Sequence, residues 1–207
     1  MSLKFLGLTL VIALGLSGCV RTNTLFPDPL REDLTYNWQI VSVEANASRD
    51  LTTTDANSQM PDVDIIWRED GPGDVYLQVE VILEEAMAQA VSQMQNSVKG
   101  NRKVILIADL VQFHSLTERA RSNIGGIHNI DFNLTVVDAV TREVLSGPAY
   151  IESDVHAFGG AEAVAAVARG ETMRVRIIQR VSDVIATYLG VAGDRAVQSG
   201  SIVEIGR

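Results

Sequence analysis

The chain has 207 residues, a formal charge of −9 and a single cysteine. That length suits one domain with a sizeable core. Its acidity argues against nucleic acid as a partner, because phosphate-backbone binding needs Lys and Arg to displace counterions, and one cysteine cannot close an internal disulfide.

The first element is a leader. Lys4 supplies a positive start, residues 5–16 are an apolar run, and Ser17 and Gly18 are the small residues before Cys19. The run is shorter than the roughly 20 apolar residues a bilayer span requires. Leu16-Ser17-Gly18-Cys19 resembles the lipobox of bacterial lipoproteins. That resemblance implies diacylglycerol on the Cys19 thiol, cleavage before Cys19 and acylation of the new amino terminus. Residues 1–18 are then a signal peptide, whose removal takes Lys4 and makes the chain one unit more negative. Two or three acyl chains give a stable anchor where one holds weakly, at about 0.8 kcal/mol per buried methylene. Val20 stands where an aspartate would resemble the inner-membrane retention signal of enteric bacteria. The resemblance therefore favours the outer membrane, with the domain facing the periplasm.

Residues 19–36 contain Pro27 and Pro29 and show no sustained period, which suits a lipidated tether. A strand over 38–44 (WQIVSVE) follows, then a long polar loop and a short strand over 64–67 (DIIW). Asp62, Asp64, Glu69, Asp70 and Asp74 lie close together, but the Asp-x-Asp-x-Asn/Asp-Gly calcium loop with its distal Glu is absent. Residues 75–98 form the clearest helix: Val79, Ile82, Leu83, Ala86, Ala90, Val91 and Met94 recur at three- and four-residue steps. Asp74 is placed to cap its start, and Lys99 with Gly100-Asn101 suits its end.

Residues 104–113 (VILIADLVQF) read as a central strand or one covered on both faces, with a buried helix open as the alternative. Residues 117–129 read as a polar loop. Residues 130–137 and 149–157 alternate in polarity and predict an antiparallel hairpin joined through "DAVTRE", with Gly147-Pro148 as a bulge in the second strand. After the small-residue segment "FGGAEAVAAVARG" comes a second helix over 173–189, with an apolar stripe from Ile177 to Leu189 and Gly190 as its stop. Residues 191–207 read as a loosely held tail.

This order predicts an α+β domain over 37–190. Its form is a two-layer sandwich, a mostly antiparallel sheet with two long helices packed on one face. The stretch "LTVVDAVTREVLSG", residues 134–147, resembles the strand, turn and strand of uncharacterised bacterial envelope lipoproteins, similar to YajG-like and CsgG/TolB amino-terminal-like groups. The resemblance implies a fold and a compartment, and it brings no catalytic residues.

No enzyme motif is present, so neither catalysis nor a cofactor is expected. His114, His128 and His156 are isolated in sequence and read as solvated, not as metal ligands. Glu152, Asp154 and His156 share one strand face by period, with Asp131 and Asn133 as neighbours across the hairpin, and this is the expected interaction face. Arg176 and Arg180 lie one helical turn apart and offer a basic face to lipid phosphate or an acidic partner, or simply the wet side of an amphipathic helix. The functional expectation is a membrane-anchored, non-enzymatic accessory module docking on an envelope protein partner. The alternative is a periplasmic lipoprotein binding a lipid or other apolar molecule beside residues 159–170.

Overall fold

A computed structural model describes residues 24–94 and 100–190. Cys19, the leader and the expected tail all lie outside the described residues, as do residues 95–98, expected at the end of the first long helix, and Lys99.

In chain order the elements are β1 (Thr24–Leu25), α1 (Glu32–Thr35), β2 (Trp38–Asn46), β3 (Ile65–Ile66), α2 (Val75–Met94), β4 (Arg102–His114) and α3 (Glu118–Ser122). Then come β5 (Gly126–Asp138), β6 (Val144–Ser153), β7 (Val155–Ala157), α4 (Gly160–Ala168) and α5 (Met173–Tyr188). The strands form one open, mostly antiparallel sheet in the order β1-β6-β5-β4-β2, with β3 added to β4 and β7 to β5. The parallel pairs are β2 with β4 and β3 with β4. Parallel neighbours need a crossover connection, and the segment carrying α2 supplies it between β2 and β4.

The sheet has unlike faces. Leu106, Ala108, Phe132, Leu134, Ala149 and Ile151 are buried in the main hydrophobic cluster, while their chain neighbours Asp109, Asn133 and Tyr150 are exposed or half-buried. Period-two alternation produces this directly. Residues 104–113 thus form a central strand covered chiefly on one face. Val79, Ile82, Leu83, Ala86 and Ala90 of α2 and Ile177, Val181 and Ile185 of α5 belong to the same cluster, and α2 packs along α5. Each fully buried large apolar side chain contributes about 1.5–3 kcal/mol.

Local chemistry fixes the element ends. The Asp74 carboxylate accepts from the Tyr76 amide at 3.1 Å, the expected cap of α2. Thr172 Oγ1 accepts from the Val175 amide at 3.2 Å at the start of α5, and Gly190 ends that helix with φ +76°. In the β5–β6 turn the Asp138 carboxylate accepts from the amides of Val140 and Thr141 at 2.9 and 3.0 Å. Those amides, followed by Nε of Arg102, hold its pKa down to about 2. Arg142 takes the φ of +61° usually left to glycine. The register of the hairpin shifts next to Leu134 and Val136, opposite Gly147 and Pro148.

Three expectations need correction. Residues 24–36 are not free tether: β1 pairs with β6, the Leu30 amide donates to the Tyr188 carbonyl at 2.7 Å, and Phe26 and Leu30 pack on the core. Residues 117–129 hold α3 and the start of β5. The small-residue segment holds α4. β1, α3 and α4 are short and are held by tertiary contacts, so they leave no sustained period in the sequence.

Candidate functional site

The hairpin carries the polar face. Across β5 and β6, Asp131 lies opposite Glu152 and Asn133 opposite Tyr150, and paired residues of neighbouring strands project to the same side. Across β4 and β5, Asp109 lies opposite Asn133 and Gln112 opposite Asp131. Asn46 Nδ2 extends the row from β2 by donating to Asp109 Oδ1 at 2.9 Å.

Within this band the Tyr150 hydroxyl donates to Asp131 Oδ2 at 3.3 Å. Partial burial, then the charges of Glu152 and Asp154, push the Asp131 carboxyl up to about 6. Burial and the Asp131 charge push the Tyr150 phenol up to about 12. A carboxylate crowded in this way gains by meeting a cation or a hydrogen-bond donor. Among the described residues no group of three or more His, Cys, Asp or Glu is arranged to hold a metal.

Of the five residues expected on this face, Asp131, Asn133 and Glu152 occupy it, and Tyr150 joins them. Asp154 does not. The chain steps from β6 to β7 at that point, so Ser153 and Asp154 are both buried in succession. Asn129 Nδ2 donates to Asp154 Oδ1 at 2.8 Å, and Arg180 Nε donates to the Asp154 carbonyl at 2.9 Å. His156 is half-buried on β7, opposite Ile127, with its ring edge-on to Phe158 at 5.3 Å between centroids.

The expected basic pair is also drawn inward. Arg180 donates to Thr24 Oγ1 as well as to Asp154, which fastens α5 to β1 and to the β6–β7 step. The Arg176 guanidinium lies over the Phe158 ring, 3.7 Å from its centroid. Burial lowers the pKa of both arginines.

His128, expected in a solvated loop, is fully buried on the inner face of β5. Its Nδ1 is 3.1 Å from Ser115 Oγ, and its Nε2 has no hydrogen-bond partner among the described residues. Burial, then the nearby charges of Arg176, His156 and Arg121, push it down to about 3, so the ring is neutral. The signal for this was present in the sequence: His128, Ile130, Phe132 and Leu134 extend one alternation upstream.

Two hollows adjoin these elements. The cleft lined by Arg121, Phe158, Ala163, Val167, Met173 and Arg176 has a volume of about 10 Å³. A polar hollow of about 330 Å³ lies between residues 53–55 and the 71–73 turn, beside Trp67 and Arg68.

The chain belongs to a family of unknown function (DUF6778), whose profile matches residues 38–204. No curated protein matches it. Among solved structures, a variant PelC dodecamer from Paraburkholderia phytofirmans is similar at 8% identity, covering 82% of this chain and 98% of that one with a TM-score of 0.40. A DUF330 protein from Xanthomonas campestris is similar at 15% identity, covering 83% and 92% of the respective chains with a TM-score of 0.44.

Proposed function

We propose that this family member is a bacterial envelope lipoprotein, anchored through lipid on Cys19, that serves as a non-enzymatic docking module of an envelope complex. The Leu16 to Cys19 lipobox resemblance supports the anchor, and Val20 favours the outer membrane with the domain facing the periplasm. On this reading the domain is a two-layer α+β sandwich akin to the YajG-like and CsgG/TolB amino-terminal-like lipoproteins, with α2 and α5 sharing the apolar side of the sheet.

One observation carries the docking assignment: Asp131, Asn133, Tyr150 and Glu152 share one sheet face, with Tyr150 exposed and the other three half-buried. The partner surface that suits it is a protein offering Lys, Arg or amide donors. Nucleic acid is a poor match to carboxylates and to the chain's net charge.

The ligand-binding alternative places a lipid or other apolar molecule beside residues 159–170. The cleft there offers about 10 Å³, against roughly 300–1,000 Å³ for small-molecule pockets, so docking ranks first. Two variants test the proposal. Cys19→Ala should move the protein out of the membrane fraction, and Glu152→Lys should abolish recovery of the crosslinked partner while the protein stays anchored. Unchanged partitioning would contradict the anchor, and unchanged recovery would contradict the face.

A further inference from the structure

The described fold begins at Thr24, which pairs with Ser153 and accepts from Arg180. Five residues of extended chain reach at most roughly 18 Å, at 3.3–3.6 Å each, and five steps separate Thr24 from Cys19. On the anchor reading proposed above, the edge at Thr24 is therefore held close to the bilayer. Two surfaces connect to that edge: the open sheet face with Asp131 and Glu152, through the pairing of Leu25 with Glu152, and the corner built by α3, α4 and the first half of α5, through Arg180.

These surfaces differ in charge. Residues 118–124 and 158–180 contain six arginines against three glutamates, in a chain with 17 basic and 26 acidic residues. Arg174 is engaged with Asp70 and Glu85 of the α2 side. Arg169 pairs with Glu171 at 2.9 Å and Arg121 with Glu69 at 3.7 Å, which leaves Arg119, exposed, and Arg176, half-buried over Phe158, with no salt bridge among the described residues.

The corner is also apolar where it meets solvent. Ile124 is 81% exposed, Val164 72%, Val167 43% and Val175 49%. Two observations join its parts: Arg121 of α3, Val167 of α4 and Arg176 of α5 line one cleft, and Gly159 at the start of α4 approaches the Ile124 backbone so closely that a Cβ there would fall 2.4 Å from its carbonyl carbon. Exposed aliphatic side chains bordered by arginines suit the boundary between acyl chains and anionic headgroups.

We infer that the α3–α4–α5 corner docks on an anionic lipid surface, with Ile124, Val164 and Val167 entering the headgroup boundary and Arg119 and Arg176 lying among phosphates. The short link from Cys19 brings the domain to the membrane, and charge selects which side turns down. Asp131 and Glu152 are then presented away from the lipid, toward a protein partner.

The test uses the mature full-length protein, acylated in cells and reconstituted into vesicles. A polarity-sensitive dye is attached through Val164→Cys or, on the sheet face, Tyr150→Cys. Lipid-borne nitroxide should quench the dye at 164 in phosphatidylglycerol vesicles, and should do so weakly in phosphatidylcholine vesicles. The dye at 150 should stay unquenched. Adding Arg119→Ala should weaken contact about fivefold for the positive charge removed, with unchanged circular dichroism. Co-sedimenting protein with position 164 unquenched, with position 150 quenched, or with equal quenching in neutral lipid would overturn the inference while leaving the anchor intact. A mature chain whose mass shows no diacylglycerol on Cys19 would overturn the anchor and, with it, the docked orientation.

Discussion

The two faces of β5 make opposite use of a titratable residue. On the inner face His128 is fully buried beside Ser115, and on the outer face Asp131 is half-buried beside Tyr150 and Glu152. Burial favours the neutral form of both, pushing His128 down to about 3 and Asp131 up to about 6. The histidine is enclosed among packed side chains and serves the fold. The carboxyl borders solvent, so an incoming cation can restore the charge that burial disfavours. Burial, not residue type alone, sets how each group is used here.

The largest effect should come from the inner face. Phe132→Ala removes a fully buried aromatic ring and should cost about 3–5 kcal/mol, measured by denaturant unfolding. Substitutions at Asn133, the next residue outward, should cost far less.

The next effect is a pH dependence. A histidine whose folded pKa is depressed contributes stability that is complete above the unfolded value near 6.5 and is lost as pH falls toward about 3. Between pH 7 and pH 5 this site should cost about 2 kcal/mol. His128→Asn should lower stability at neutral pH and remove that part of the slope.

Asp131 has the opposite sign. Its raised pKa means that its contribution is complete below the unfolded value near 3.8 and is lost as pH rises through about 6. Asp131→Asn should therefore stabilise the protein at pH 7 by about 1 kcal/mol, after discounting for solvent screening. The gain should shrink as pH falls through 6 and vanish below about 3.8. The smallest effect on folding is expected for Glu152→Lys, within about 0.5 kcal/mol, although it should have the largest effect on partner recovery. A large loss of stability in that variant would break the contrast between the faces.

The same contrast explains what was legible in the sequence. The β5–β6 hairpin, α2 and α5 follow from periods of two and of three to four residues, because each has one face in the cluster and one outside it. Asp131, Asn133 and Glu152 were placed by that alternation. Asp154 leaves that face because the β6–β7 step interrupts the period, and the sequence does not announce the Asn129 and Arg180 bonds that hold it. Likewise α3 and α4 depend on distant groups: Thr117 Oγ1 caps α3 and also donates to the Ser58 carbonyl at 2.8 Å. Short elements of this kind are specified by tertiary contact. Tyr150 alternates with Ala149 and Ile151, but its hydrogen bond to Asp131 across the strand pair is visible only in the fold.

The most direct test of the docking account is site-specific photocrosslinking in intact cells, with the photoreactive residue at position 152 or at position 164. The account predicts a discrete adduct with one envelope protein from position 152 and lipid adducts from position 164. Protein adducts confined to position 164, with none at 152, would contradict it.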